Sequence, residues 1–219
     1  MTRLLAAVAL VLVAAACTRT SQGAPVAVGT AAPSSSITKT IPTPQADLTE
    51  PGIVPTTAPV PACRNPDPPP VSVVASVNDP AAPKITVALP EGWSTTAGSG
   101  DVGAKLQGPD GVSATVTITR TALDPAAAFR QYADDAMARS PISSISVLPA
   151  ELCGFSGQKL IGSWADAPEQ AVTFGDRLAH IPSGDAAYLV VVHVEAPAAT
   201  PGFDPLTSPL LDDFTVDLP

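Results

Sequence analysis

Apolar and polar residues first alternate regularly at Ile85-Thr86-Val87-Ala88-Leu89. There Ile85, Val87 and Leu89 share one face of a predicted strand that stops at the turn Pro90-Glu91-Gly92-Trp93. The same period of two returns on both sides of Pro109-Asp110-Gly111, so 105–108 and 113–120 read as a hairpin with strong turn chemistry. Val116 and Ile118 line one face of its second arm, and Thr115, Thr117 and Thr119 line the other, as in an antiparallel sheet with one covered side. At Asp124-Pro125 the period lengthens. An N-cap followed by proline at the first helical position opens a helix whose stripe is Phe129, Tyr132, Ala133, Ala136 and Met137. Asp135 and Arg139 stand four apart on it and are expected to pair. Residues 145–148, 158–164 and 171–181 read as further strands, and Pro182-Ser183-Gly184-Asp185 turns the last of them into 187–195. Tyr188-Leu189-Val190-Val191-Val192 is apolar on both faces, which predicts a central strand covered on each side. A short helix over 205–211 and a brief strand, Phe214-Thr215-Val216, close the chain. The pattern predicts an α+β fold, helices packed on a largely antiparallel sheet, over residues 71–219.

Ahead of residue 71 the pattern is of another kind. Arg3 precedes an uncharged run over 4–13, then Ala14-Ala15-Ala16 and Cys17, so residues 1–16 read as a lipoprotein signal peptide. Ala14 stands where such signals prefer leucine; the alternative is an ordinary secretory signal cleaved at Ala-x-Ala. A thiol at the first mature position takes a diacylglycerol and acyl chains such as palmitate, each buried CH₂ contributing about 0.8 kcal/mol to membrane attachment. The apolar run is shorter than the roughly 20 residues of a spanning helix. The chain is therefore expected to be exported and held at the outer face of the membrane or envelope through Cys17. Residues 17–70 are rich in Pro, Thr and Ser, a composition that cannot offset its ordering entropy, and read as a disordered tether. About 45 such residues would span on the order of 35–40 Å, and their Thr/Pro character suits O-glycosylation.

The chain has three cysteines. Lipidation of Cys17 leaves Cys63 and Cys153 in an oxidising compartment, which predicts a disulfide closing a loop of about 90 residues and stabilising the fold by roughly 4–5 kcal/mol. Without a CxxC, and with two histidines, a metal site is not expected. From Arg64 onward eight Lys and Arg face eighteen Asp and Glu, a net charge of −10. Such a domain is a poor nucleic-acid binder and lacks the basic clusters that hold anionic headgroups.

Ile85-Thr86-Val87-Ala88-Leu89-Pro90-Glu91-Gly92-Trp93 resembles the strand-Pro-x-Gly-Trp opening of the Mog/PsbP-like fold. With the lipidation signal and the Pro/Thr-rich tether, the chain resembles the LpqN/LpqT-type lipoproteins of mycobacteria over roughly 71–219. It departs from them in carrying Cys63 and Cys153 and a longer proline-rich tail. The resemblance implies a Mog/PsbP-like sandwich with a C-terminal helix and a non-catalytic envelope protein that binds or scaffolds others, and it brings no catalytic residues.

The candidates for chemistry each have a structural reading. Gly154-Phe155-Ser156-Gly157 is short of a nucleophile elbow, because Gln158 stands where the last glycine belongs. His193 shares a strand face with Leu189 and Val191, as a general base or, the favoured reading, a hydrogen-bonded residue near a strand end. His180 is expected near a hairpin turn and exposed. Asp134-Asp135 and Asp212-Asp213 are adjacent pairs, about 100° apart on a helix, and do not converge. Asp110-Gly111 and Gly184-Asp185 are turn residues rather than calcium loops. Trp93, Phe155, Trp164 and Tyr188 either anchor the core or line a candidate ligand groove. The expectation is no catalytic residue and no cofactor. The domain is read as a protein-binding or scaffold module meeting an envelope or host protein partner; the alternative is a carrier holding a lipid or glycolipid between sheet and helices.

Overall fold

The computed structural model describes residues 50–55, 63–64 and 69–219, all within the compact unit Ala46–Pro219. Cys17, the signal sequence and residues 18–49 of the tether lie outside the described residues. In chain order the strands are β1 (Ser72–Ala75), β2 (Lys84–Ala88), β3 (Ser94–Ala97), β4 (Val102–Gln107) and β5 (Ser113–Thr121). The helix α1 (Pro125–Ala138) follows, then β6 (Ile142–Pro149), β7 (Ser156–Ala165), β8 (Val172–Ser183), β9 (Ala186–Pro197) and β10 (Thr215–Asp217). They form two antiparallel sheets, β1-β2-β10 and β3-β4-β5-β9-β8-β7-β6.

Three layers follow from the two sets of apolar faces. Val116, Ile118, Val190, Val192 and Val194 on one face of the large sheet pack against Ile85, Val87 and Val216 of the small one, with Leu210, Leu211 and Phe214 filling the edge. On the opposite face Phe129 of α1 covers Leu160, Leu178 and Val191. β9 lies at the middle of the seven strands, covered on both sides, as its unbroken apolar run predicts. Local chemistry sets the ends. Asp124 caps α1 by accepting the Ala127 N–H at 2.9 Å, with Pro125 at the first helical position. The β4–β5 turn uses left-handed backbone at Asp110 (φ 53°) and Gly111 (φ 80°).

The structure departs from the expected pattern in three places. The C-terminal helix is replaced by two 3₁₀ turns, Pro205–Thr207 and Pro209–Leu211. Pro209 forces Ser208 into extended backbone (ψ 123°) and supplies no N–H to continue a helix. α1 is thus the one α-helix among the described residues. β3 escapes the pattern because Ser94-Thr95-Thr96-Ala97 is exposed throughout and has no apolar face to alternate.

The third concerns residues 50–54, expected within the tether, which hydrogen-bond to β7. The Gly157 N–H donates to the Gly52 carbonyl at 2.9 Å, the Val54 N–H to Ser156 Oγ at 2.9 Å, and Gln158 Nε2 to Glu50 Oε1 at 3.1 Å and the Pro51 carbonyl at 2.8 Å. Ile53 packs beside Phe129 and Leu160. Pro51-Gly52-Ile53-Val54 therefore acts as a strap across the start of β7, held by these hydrogen bonds and by Ile53, which the surrounding prolines conceal in the sequence. Farther on, Cys63 exchanges backbone hydrogen bonds with Val216 of β10, and its sulfur is bonded to Cys153, 90 residues away with a Cα separation of 5.5 Å. The expected disulfide is present and joins the small sheet to the β6–β7 connection.

Gly52 (φ 76°) lies where a Cβ would overlap the Gly157 carbonyl oxygen. Gly52→Ala should therefore release the strap, lowering unfolding free energy by about 1–2 kcal/mol and raising amide exchange at Val54 and Gly157 ahead of the central strands. Protection of those two amides equal to wild type would contradict the strap.

Candidate functional site

The hairpin joining β8 to β9 turns through Gly184 and Asp185, and its register sets Asp176 opposite His193. Both side chains sit on the α1 side of the sheet. His193 Nδ1 lies 2.6 Å from Asp176 Oδ1 and Nε2 lies 3.2 Å from Glu195 Oε2. Carboxylates only accept here, so the imidazole donates from both nitrogens and is the imidazolium. Burial pulls its pKa down, but hydrogen bonds and charge attraction from Asp176 and Glu195 outweigh that and raise it to about 9. The hydrogen bond from His193 in turn lowers the pKa of Glu195. Aromatic rings enclose the cluster: Trp164 stacks parallel to His193 at 5.6 Å and against Phe174 at 4.3 Å. Arg139 lies over Trp164 at 4.5 Å from its centroid, rather than pairing with Asp135. Tyr132 of α1 lies beside Asp176, and burial followed by that negative charge pushes its phenol pKa upward.

As general acid–base machinery the arrangement is closed. Neither ring nitrogen of His193 has a lone pair to offer, and Asp176 is fully buried beneath it. Ser156 is 5 % exposed and uses its hydroxyl on both backbone groups of Val54. His180 is buried, against the expectation of exposure, because β8 extends beyond it and places it beside the Leu123 carbonyl, 3.0 Å from Nε2. Desolvation lowers its pKa, opposed by that hydrogen bond and by Asp124, so His180 is held neutral.

The four residues of the candidate groove do not share one. Phe155 is in the core between the two sheets. Tyr188 is buried with its hydroxyl donating to Asp79 Oδ2 at 2.7 Å. Trp164 belongs to the His193 cluster. Trp93 borders an open groove of about 260 Å³ that Phe203, Pro90, Pro109, Pro201 and Pro209 also line, whereas Tyr188 lines a separate pocket with Asp79 and Arg120. The space between α1 and the sheet is filled by Phe129, Tyr132, Ile53, Leu160 and Leu178. Among the described residues no cluster of His, Cys, Asp and Glu suits a metal, and no helix is long and apolar enough to cross a membrane.

Sequence reasoning missed Asp176 and Arg177, and read Tyr132 only as part of the helix stripe. Asp176 was within reach: a two-residue loop at Gly184-Asp185 fixes the pairing of 176 with 193, and two ionisable residues facing one another in apolar strands must meet. Arg177, fully buried on the other face, gave no such signal. Its guanidinium donates to the carbonyl of the neighbouring Leu178 and, from distant positions, to the carbonyls of Ala150 and Glu151 and to Asp213.

No family model matches this chain, and no curated protein does. Six chains among solved structures match it. One is the crystal structure of LpqN of Mycobacterium tuberculosis, a protein described as involved in cell envelope biogenesis. The likeness has a TM-score of 0.52 at 20 % identity and covers 68 % of this chain and 91 % of that one. It shows that the two share a fold.

The His193 cluster predicts a pH dependence of stability. A pKa raised in the folded state gives stabilisation that is full below the unfolded value near 6.5 and is lost as pH rises through about 9. Over that window the loss should be on the order of 3 kcal/mol, read as a falling unfolding midpoint that His193→Gln flattens. An unchanged profile in His193→Gln would contradict the assignment.

Proposed function

We propose that this chain is a lipid-anchored envelope protein whose α+β domain is a non-catalytic binding or scaffold module in cell-envelope biogenesis. The observation that carries the reading is that the fold is shared with LpqN while Ser156, His180 and His193 are all engaged internally. Cys17 fixes the chain to the outer face of the membrane, and residues 18–49 set how far the domain reaches from it. The strap and the Cys63–Cys153 bond then define where the tether ends, so that the domain is presented from one side. Recognition falls to its acidic outer surface, and an envelope protein is the partner class.

A second reading, a carrier, is favoured by the Trp93–Phe203 groove, half apolar and walled by prolines. Its volume suits a short acyl segment or a ring of a lipid or glycolipid rather than a whole chain. Native mass spectrometry of the protein extracted from its own cells separates the two: a bound lipid lost in Trp93→Ala supports the carrier.

In a strain lacking the protein, Cys17→Ser should move it from the membrane fraction to the soluble one and fail to restore envelope permeability. Ser156→Ala and His193→Gln, at matched protein levels, should restore it. A folded Ser156→Ala or His193→Gln protein without activity in this assay would overturn the non-catalytic reading.

A further inference from the structure

The outer edges of the two sheets differ in how they meet solvent. β1 and β3 are each four residues long, too short to template another strand effectively. β6 is eight residues long and pairs through β7 on one side. Its first seven residues, Ile142-Ser143-Ser144-Ile145-Ser146-Val147-Leu148, hold no charge and no proline, and Pro141 and Pro149 bracket them. Ile142 and Leu148 are 55 % and 42 % exposed. Charges, prolines and bulges are the usual means of blunting a long edge, and this stretch has none of them between its two ends.

The segment is also nearly palindromic. Placed antiparallel to a second copy across a twofold at Ile145, it sets Ile142 opposite Leu148, Ser143 opposite Val147, Ser144 opposite Ser146 and Ile145 opposite itself. Ile142, Ser144, Ser146 and Leu148 face outward, whereas Ile145 and Val147 pack toward α1. This register sets Ile142 against Leu148 on the outward face and Ile145 against its own copy on the α1 face, where Ser143 stands beside Val147, and it keeps the two α1 helices on the same side of the joined sheet. Centring the pairing one residue away in either direction sets Ile142 against Ser146 or Leu148 against Ser144. We propose that β6 is a homodimer seam, through which two copies pair edge to edge about Ile145. The seam covers the exposed Ile142 and Leu148 of both copies. Because seven paired residues bury less than the roughly 1,200 Å² of a stable interface, the dimer forms where copies are concentrated, as on a shared membrane.

The test uses full-length lipoprotein co-reconstituted in phosphatidylcholine vesicles, carrying Ser144→Cys in one set of copies and Ser146→Cys in another, under mild oxidation. In this register position 144 of one copy lies directly opposite position 146 of the other. Like positions are offset by two residues, about 7 Å along the strand, beyond the Cα separation a disulfide tolerates. Mixed cross-links well above the roughly twofold excess over each like pair that random pairing of equal populations gives are expected; no cross-linking, or a mixed yield at that random ratio, overturns the proposal. Should the added thiols scramble with Cys63–Cys153, Ser146→Lys in the otherwise unaltered chain replaces them. Sedimentation in mild detergent should then show dimerisation weakened roughly tenfold or more, and an association constant equal to wild type overturns the seam.

Discussion

The buried guanidinium of Arg177 ties together parts of the chain that are far apart in sequence. A cation without solvent must find acceptors, and Arg177 finds them in the carbonyls of Ala150 and Glu151 and in the carboxylate of Asp213. Burial lowers its pKa and the Asp213 carboxylate opposes that, so the charge is kept at the junction. Those partners flank Cys153 on one side and the start of β10 on the other, where Cys63 sits and its sulfur approaches the Phe214 carbonyl at 3.7 Å. The Cys63–Cys153 bond and Arg177 form one clasp. The three-stranded sheet, with strands of four, five and three residues, is too small to stand alone. It persists through this clasp and the apolar contact of Ile85, Val87 and Val216 with the central strands.

The opposite face is organised by a second buried charge of the same sign. His193 is an imidazolium because Asp176 and Glu195 flank both its nitrogens, and the rings of Trp164 and Phe174 exclude water from the pair. Between them these two ionic centres use the reactive-looking side chains of the sheet as structure. The surface features left outside these two centres are the Trp93 groove, the acidic exterior and the β6 edge.

Strands with one covered face were legible from alternation alone, and α1 from its cap, its proline and its stripe. The central position of β9 followed from residues apolar in both directions. β3 was illegible because an exposed strand carries no alternation, and 205–211 misled because its leucines keep helical spacing while Pro209 forbids the helix. The strap was hidden by composition: Ile53 is an apolar residue inside a proline-rich stretch, and its value lies in meeting Leu160 and Phe129, more than seventy residues away. Long-range polar contacts were the least legible. The Asp176–His193 pair could be read through a hairpin turn, whereas Arg177 and Asp213 meet only once both sheets have packed.

The disulfide and Arg177 thus clasp the small sheet and the end of the tether onto an independently ordered seven-stranded sheet. Hydrogen exchange of the oxidised and the reduced protein, followed by mass spectrometry, tests this most directly. Reduction is predicted to raise exchange in β10, in β2 and around residues 63–64, while β5, β8 and β9 stay protected. Uniform loss of protection across both sheets, or no change in β10 and β2, would contradict the account.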